Sequence, residues 1–142
     1  MSGPFRKRPG LDVLNAQLAG TAAASLGIRL TEQGEDFLRG TMPVDERTRQ
    51  PFGLLHGGSS VVLAETLASF GGYLCLDPES GQQAAGIEIN ANHLRAVTSG
   101  LVTGTARPAY LGKTTQVWEI RIEDERGRLA CLSRMTAAVI RL

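Results

Sequence analysis

Residues 59–76, SSVVLAETLASFGGYLCL, decide the fold. Val61, Val62, Leu63, Ala64, Leu67, Ala68, Phe70, Tyr73 and Leu74 fall on nearly every face of a helix, so the segment predicts one long helix buried on most sides. The turn-forming run Asp77-Pro78-Glu79-Ser80-Gly81 ends it, and no second long helical pattern follows. Four strands are expected instead, over residues 84–94, 100–110, 114–123 and 128–140. In the third, Trp118, Ile120 and Ile122 alternate with Glu119, Arg121 and Glu123, the period of a sheet with one dry face. The short link Asp124-Glu125-Arg126-Gly127 makes the third antiparallel to the fourth. A long buried helix followed by an antiparallel meander implies an α+β fold with the sheet wrapped around that helix.

Upstream, Leu11, Leu14 and Leu18 recur at helical spacing and Gly20 is a natural stop, which predicts a short N-terminal helix lying as a lid on the sheet edge. Residues 25–30 and 37–43 read as a hairpin turning at Gln33-Gly34-Glu35. Residues 1–10, MSGPFRKRPG, combine two prolines and two glycines with three cations, the composition of a flexible lead-in to a single domain over 11–142. With 142 residues there is room for one core, so any site must be built on a single layer architecture or shared between copies.

Composition narrows the function. A hydrophobic content of 42%, a charged content of 20% and a net charge of +1 describe an ordinary soluble protein with no electrostatic reason to bind nucleic acid. No segment has the ~20 apolar residues of a membrane span, and the N-terminal cations lack the apolar run of a signal peptide. Cys75 and Cys131 lie far apart without metal-ligand spacing, as expected of reduced thiols in a cytoplasmic protein. No His, Cys, Asp or Glu cluster has metal-ligand spacing, so neither a metal nor a cofactor is expected.

Three features carry chemistry. Glu65 stands among Leu63, Ala64, Leu67 and Ala68, and a buried carboxylate must be paired, hydrogen-bonded or neutralised. Ser69 lies one turn on, placed to share a hydrogen bond or a water with it. A lone mid-helix Glu can equally be solvated or ion-paired. His56-Gly57-Gly58 opens the helix, where backbone N–H groups lack intrahelical acceptors and Gly57 lets a ligand oxygen approach them, although two glycines also suit a plain turn. Gln50 sets an amide on the approach loop. A carboxylate, a donor-rich helix start and an amide together meet the needs of acyl transfer to water.

The string QPFGLLHGGSSVVLAETLAS, residues 50–69, resembles the signature of the hotdog-fold thioesterases of the phenylacetate-pathway and 4-hydroxybenzoyl-CoA type. GIEINANHLRA, AYLGKTTQVWEI and DERGRLACLSRMTAAVI extend the resemblance over nearly the whole chain from about Leu11. It implies the hotdog fold and hydrolysis of an acyl- or aroyl-coenzyme A thioester, with Glu65 as nucleophile or general base. Gln50 and Gly57 would then orient and polarise the carbonyl, with His56 near the carbonyl or leaving thiolate and Ser69 near the attacking water. Coenzyme A, part of the substrate and not a cofactor, would touch Gly86, His93, Leu94, Arg95 and Ala96, and also Tyr110, Leu111, Gly112, Lys113, Thr114 and Thr115. Arg95 and Lys113 are the phosphate partners in that scheme. The pattern departs at Tyr110, where relatives tend to have His. The resemblance also implies a homodimer with shared sites, pairing into a homotetramer. A hotdog dehydratase or hydratase, or an acyl-coenzyme A binding module without catalysis, are the alternatives.

Overall fold

The computed structural model describes residues 3–142, and Met1 and Ser2 of the lead-in lie outside them. Two short helices, α1 (Leu11–Ala16) and α2 (Ala22–Ser25), precede a hairpin of β1 (Arg29–Gln33) and β2 (Leu38–Pro43). The long helix α3 (Gly57–Leu74) follows, then β3 (Gln82–His93), β4 (Leu101–Leu111), β5 (Thr115–Glu123) and β6 (Leu129–Arg141). All six strands form one antiparallel sheet in the order β1-β2-β4-β5-β6-β3, and α3 packs on β2 through β6. The chain thus forms the expected sheet around one helix.

Small residues let α3 sit deep in the sheet. A Cβ at Gly104 of β4 would lie 2.8 Å from Leu67 Cδ1, and one at Gly71 would lie 2.8 Å from the Trp118 ring. Trp118 is fully buried, its Nε1–H donates to Gln116 Oε1 at 2.9 Å, and the Gln116 amide donates to the Gly72 carbonyl at 3.4 Å. This chain of bonds satisfies the polar atoms of two buried β5 side chains and fixes the C-terminal turns of α3.

The burial of α3 is one-sided, unlike the expectation. Leu63, Ala64, Leu67, Ala68, Gly71 and Gly72 are buried on the sheet, whereas Val62, Thr66, Ser69, Phe70 and Tyr73 are half-buried and Glu65 is exposed. A sheet covers only one side of a helix, and the N-terminal segment covers the other only in part. The apolar residues on that second side are therefore half-buried in place of the burial that the helix's all-round apolar pattern led one to expect.

Two strand expectations change. The first hairpin strand begins at Arg29, because Ala22–Ala24 are strong helix formers and Gly27, at φ 75°, turns the chain into β1. The strands after α3 are not one meander: β4, β5 and β6 are, while β3 lies beyond β6, paired from Gln82↔Arg141 to His93↔Cys131. Residues 94–100 carry the chain across. Leu94 and Arg95 donate to the Ala130 carbonyl, and the carbonyl of buried Val97 accepts from Leu55 N–H. Seven residues span up to about 23 Å, enough to pass two strands.

The two sheet edges differ. At β1, Asn15 behaves as a strand would: its Nδ2 donates to the Leu30 carbonyl at 2.9 Å and its Oδ1 accepts from Leu30 N–H at 2.8 Å. α1 thus forms the expected lid, and α2, a helix not expected from the sequence, adds the bond from Ile28 N–H to the Ala23 carbonyl just before β1. Residues 3–8 run along the fold, with Phe5 buried, Arg6 and Lys7 N–H donating to the Leu74 carbonyl, and Lys7 Nζ 3.6 Å from the Tyr73 ring centre. The outer edge of β3 has no such cover among the described residues, and Ile87 and Leu94 are 65% and 58% exposed there.

Candidate active site

The start of α3 is organised by His56. Its Nδ1 accepts from Gly58 N–H at 2.8 Å, which places the proton of a neutral ring on Nε2. Its carbonyl accepts from Ser59 and Ser60 N–H at 3.0 and 3.2 Å, and its own N–H is tied to the Thr48 carbonyl at 2.7 Å. Among the described residues, the Gly57 N–H alone of this first turn has no acceptor. His93 lies against the same glycine, for a Cβ at Gly57 would meet its Nε2 at 2.7 Å. A side chain at 57 is therefore opposed by the His93 ring as well as by any approaching ligand.

Glu65 opens into a groove of about 480 Å³ between α3 and the N-terminal segment, lined by Gln17, Leu18, Ala23, Val62, Ser69 and Phe70 among others. The expected dry carboxylate is thus an exposed one in the single chain, because the uncovered side of α3 carries it. It forms no ion pair or hydrogen bond among the described residues. Its Oε2 rests over the β3 backbone, 2.8 Å from where a Cβ at Gly86 would be. Ser69 is one turn away, its hydroxyl directed only at Met135 Sδ, 3.9 Å off. Gln50 Oε1 accepts from Phe52 N–H within its own loop, whose tip Phe52 is 88% exposed.

One chain brings Glu65, Gly86 and Ser69 together at mid-helix, and His56, Gly57 and His93 together at the helix start. It does not bring these two groups to one point. Eight residues of α-helix separate Gly57 from Glu65, about 12 Å along the axis, and helix N–H groups point away from Glu65. The coenzyme stretches are likewise divided. His93–Ala96 lie beside the start of α3, whereas Tyr110–Thr115 form the β4–β5 turn, closed by Gly112 N–H to the Thr115 carbonyl at 2.8 Å, beside its far end. The 18 residues of α3 put those ends about 27 Å apart. Arg95 and Lys113 are exposed, and neither forms an ion pair among the described residues.

The sequence did not single out Met135, which packs beside both Ser69 and Gly86, or Gln17, which reaches the groove from the turn after α1. Helical spacing at Leu14 and Leu18 showed which side of α1 packs, and carried no sign of what that side would face.

A family model described as the thioesterase superfamily matches residues 52–131. A 1,4-dihydroxy-2-naphthoyl-CoA hydrolase of Escherichia coli is 51% identical over 136 residues, 96% of this chain and 98% of that protein. The proofreading thioesterase EntH of Cronobacter turicensis is likewise 51% identical over 136 residues, with the same coverage of 96% and 98%. A crystal structure of a thioesterase from Haemophilus influenzae superimposes with a TM-score of 0.94 at 50% identity, covering 98% of this chain and 96% of that one. Both the helix-in-sheet architecture and the 52–131 match thus lead to one conclusion: the chain belongs to the thioesterase superfamily and is a thioester hydrolase of hotdog fold.

Proposed function

We propose that the protein hydrolyses an acyl- or aroyl-coenzyme A thioester to the free acid and coenzyme A, with Glu65 as the catalytic carboxylate. The observation that carries this reading is a mid-helix carboxylate without a protein partner among the described residues, facing an open groove with a hydroxyl one turn away. The similarity to a hydrolase named for a naphthoyl-CoA ester supports an aromatic acyl group on coenzyme A.

The thioester oxygen rests on the unpaired Gly57 N–H, where the helix dipole favours the negative charge that develops in the tetrahedral intermediate. Glu65 takes a proton from a water steadied by Ser69 and that water attacks the carbonyl carbon, or Glu65 itself attacks and water then cleaves the anhydride. Either way the C–S bond breaks as the intermediate collapses, and the thiolate leaves as coenzyme A. His56, with Nε2–H free to donate, lies beside Gly57 and serves the carbonyl oxygen or the departing sulfur.

Because one chain holds Gly57 and Glu65 about 12 Å apart, one carbonyl meets both only when two copies each supply one of them. The uncovered edge of β3, with Ile87 and Leu94 exposed, supplies the surface for a homodimer, and the half-buried side of α3 gains its cover there. Such dimers pair into a homotetramer in this reading. Cys75 and Cys131, both free thiols, fit a cytoplasmic enzyme.

Glu65→Gln tests the assignment. Thiol release from an aroyl-coenzyme A should fall at least ~100-fold if the carboxylate is a base, and further if it is a nucleophile. A variant that keeps most of its turnover rejects the role. Single turnover in heavy-oxygen water then separates the two routes, since label enters Glu65 only through the anhydride.

A further inference from the structure

The loop from Asp45 to His56 carries Gln50 and His56 and leads directly into Gly57, yet its only regular pairing is one bridge, Arg49↔Leu55. Groups that must meet one carbonyl need a rigid support beneath such a loop. Of the described residues 45–56, Thr48 alone is buried, at 1% exposure.

Thr48 joins the sheet to the start of α3. Its hydroxyl donates to the Pro43 carbonyl at the end of β2, 2.8 Å away, and accepts from Asp45 N–H at 3.1 Å. Its own carbonyl accepts from His56 N–H at 2.7 Å, and His56 is the residue before Gly57. Valine would fill the same space, so packing alone gives no reason for an oxygen at this buried position. The two bonds of the hydroxyl do, since they use it as donor and acceptor at once.

Arg49 fastens the other side of the loop. Its Nη2 donates to the Thr98 carbonyl at 2.9 Å and to the Val44 carbonyl at 3.4 Å, while Leu55 N–H donates to the Val97 carbonyl at 2.8 Å. The Arg49 side chain is exposed, so it ties the loop to β2 and to residues 94–100 without filling the core.

We propose that Thr48 and Arg49 are positioning residues of the hydrolysis: they hold Gln50, His56 and Gly57 as one unit against the sheet, so that the thioester carbonyl meets all three together. Neither touches the substrate in this scheme. The inference rests on the thioesterase reading above. Slack at Thr48 passes through a single bond to His56 and from there to the Gly57 N–H, and a misplacement of about 1 Å at a reacting group costs on the order of 100-fold in rate.

The test measures thiol release by Thr48→Val, Thr48→Ser and Arg49→Met on an aroyl-coenzyme A and on the N-acetylcysteamine ester of the same acid, which has no phosphate. Thr48→Val should lower kcat about 10- to 100-fold, and Arg49→Met about 3- to 10-fold. KM for the coenzyme ester should stay within about threefold, because Leu94 and Arg95 keep their own bonds to the Ala130 carbonyl. Thr48→Ser, which retains the hydroxyl, should keep most of the wild-type kcat. The losses should be equal on the two esters, and amide hydrogen exchange should quicken over residues 45–60 while β4, β5 and β6 stay protected. An unchanged kcat in either folded variant, a loss at Thr48→Val that Thr48→Ser shares, or a loss confined to the coenzyme ester overturns this inference alone. So does exchange that quickens throughout the sheet, which would mark a general loss of stability. Should Thr48→Val fail to fold, Arg49→Met decides by the same readings. A wild type that releases no thiol from any of a panel of acyl- and aroyl-coenzyme A esters overturns the thioesterase reading beneath it.

Discussion

The shared site can be tested by taking away one backbone hydrogen. Gly57 is the first residue of α3, the position where a helix tolerates proline because that N–H has no intrahelical acceptor. His56 has φ −71° and ψ 130°, the extended conformation that a residue before proline requires. Gly57→Pro therefore removes the proposed oxyanion donor and leaves the helix standing. Its Cβ would press on His93 Nε2 at 2.7 Å, the far end of a movable side chain, and Gly57→Ala carries the same Cβ while keeping the N–H. The alanine variant reports the His93 contact, and the further loss on going to proline reports the donor. That further loss should be about 100- to 1,000-fold in kcat. Coexpression of Gly57→Pro with Glu65→Gln chains then asks where the site lies. If one site draws Gly57 from one copy and Glu65 from the other, half of randomly paired dimers hold one intact site of two, and about a quarter of wild-type activity returns. If both groups came from one chain, every site would carry a defect. Two inactive variants that stay inactive when coexpressed, while circular dichroism and size show normal folding and pairing, would refute the geometry.

Three further outcomes concern the fold. Trp118→Phe should lower stability to chemical denaturation by about 2–4 kcal/mol, because it empties volume above Gly71 and removes the donor to buried Gln116 Oε1. Burial pushes the Cys75 thiol up to about 12, so at pH 8 it is almost wholly the unreactive thiol; iodoacetamide should label it slowly in the native protein and rapidly in denaturant, and native labelling should still be rising at pH 10. Asn15→Asp swaps the donor facing the Leu30 carbonyl for a second oxygen, and should cost about 1–3 kcal/mol above the carboxyl's own titration range, as read by urea unfolding at neutral pH against the same measurement at acid pH.

Local pattern made much of the fold legible. The apolar density of residues 61–74 marked α3, and the alternation at Trp118, Ile120 and Ile122 marked the dry face of β5, because both signals arise within a few residues of chain. The place of β3 beside β6 was not legible, since it depends on how residues 94–100 cross the helix start rather than on the strand's own pattern. α2 was not legible either, because four residues, Ala22–Ser25, are too few to show helical periodicity. At the site, Glu65 and the glycines at 57 and 58 stood out as residue types in odd surroundings. The contact of Glu65 with Gly86 and that of His93 with Gly57 join positions more than twenty residues apart, and no local signal encodes them.

The clasp of Asn15 on Leu30 sets a limit on growth. A sheet with two bare rims can add copies at both and extend without end. Here one rim is occupied by the chain's own amide and by the Ile28–Ala23 bond, so in the proposed dimer joining along the other would use the rim left bare among the described residues, and the ribbon would close at two. The proposed pairing of such dimers would then have to be face against face.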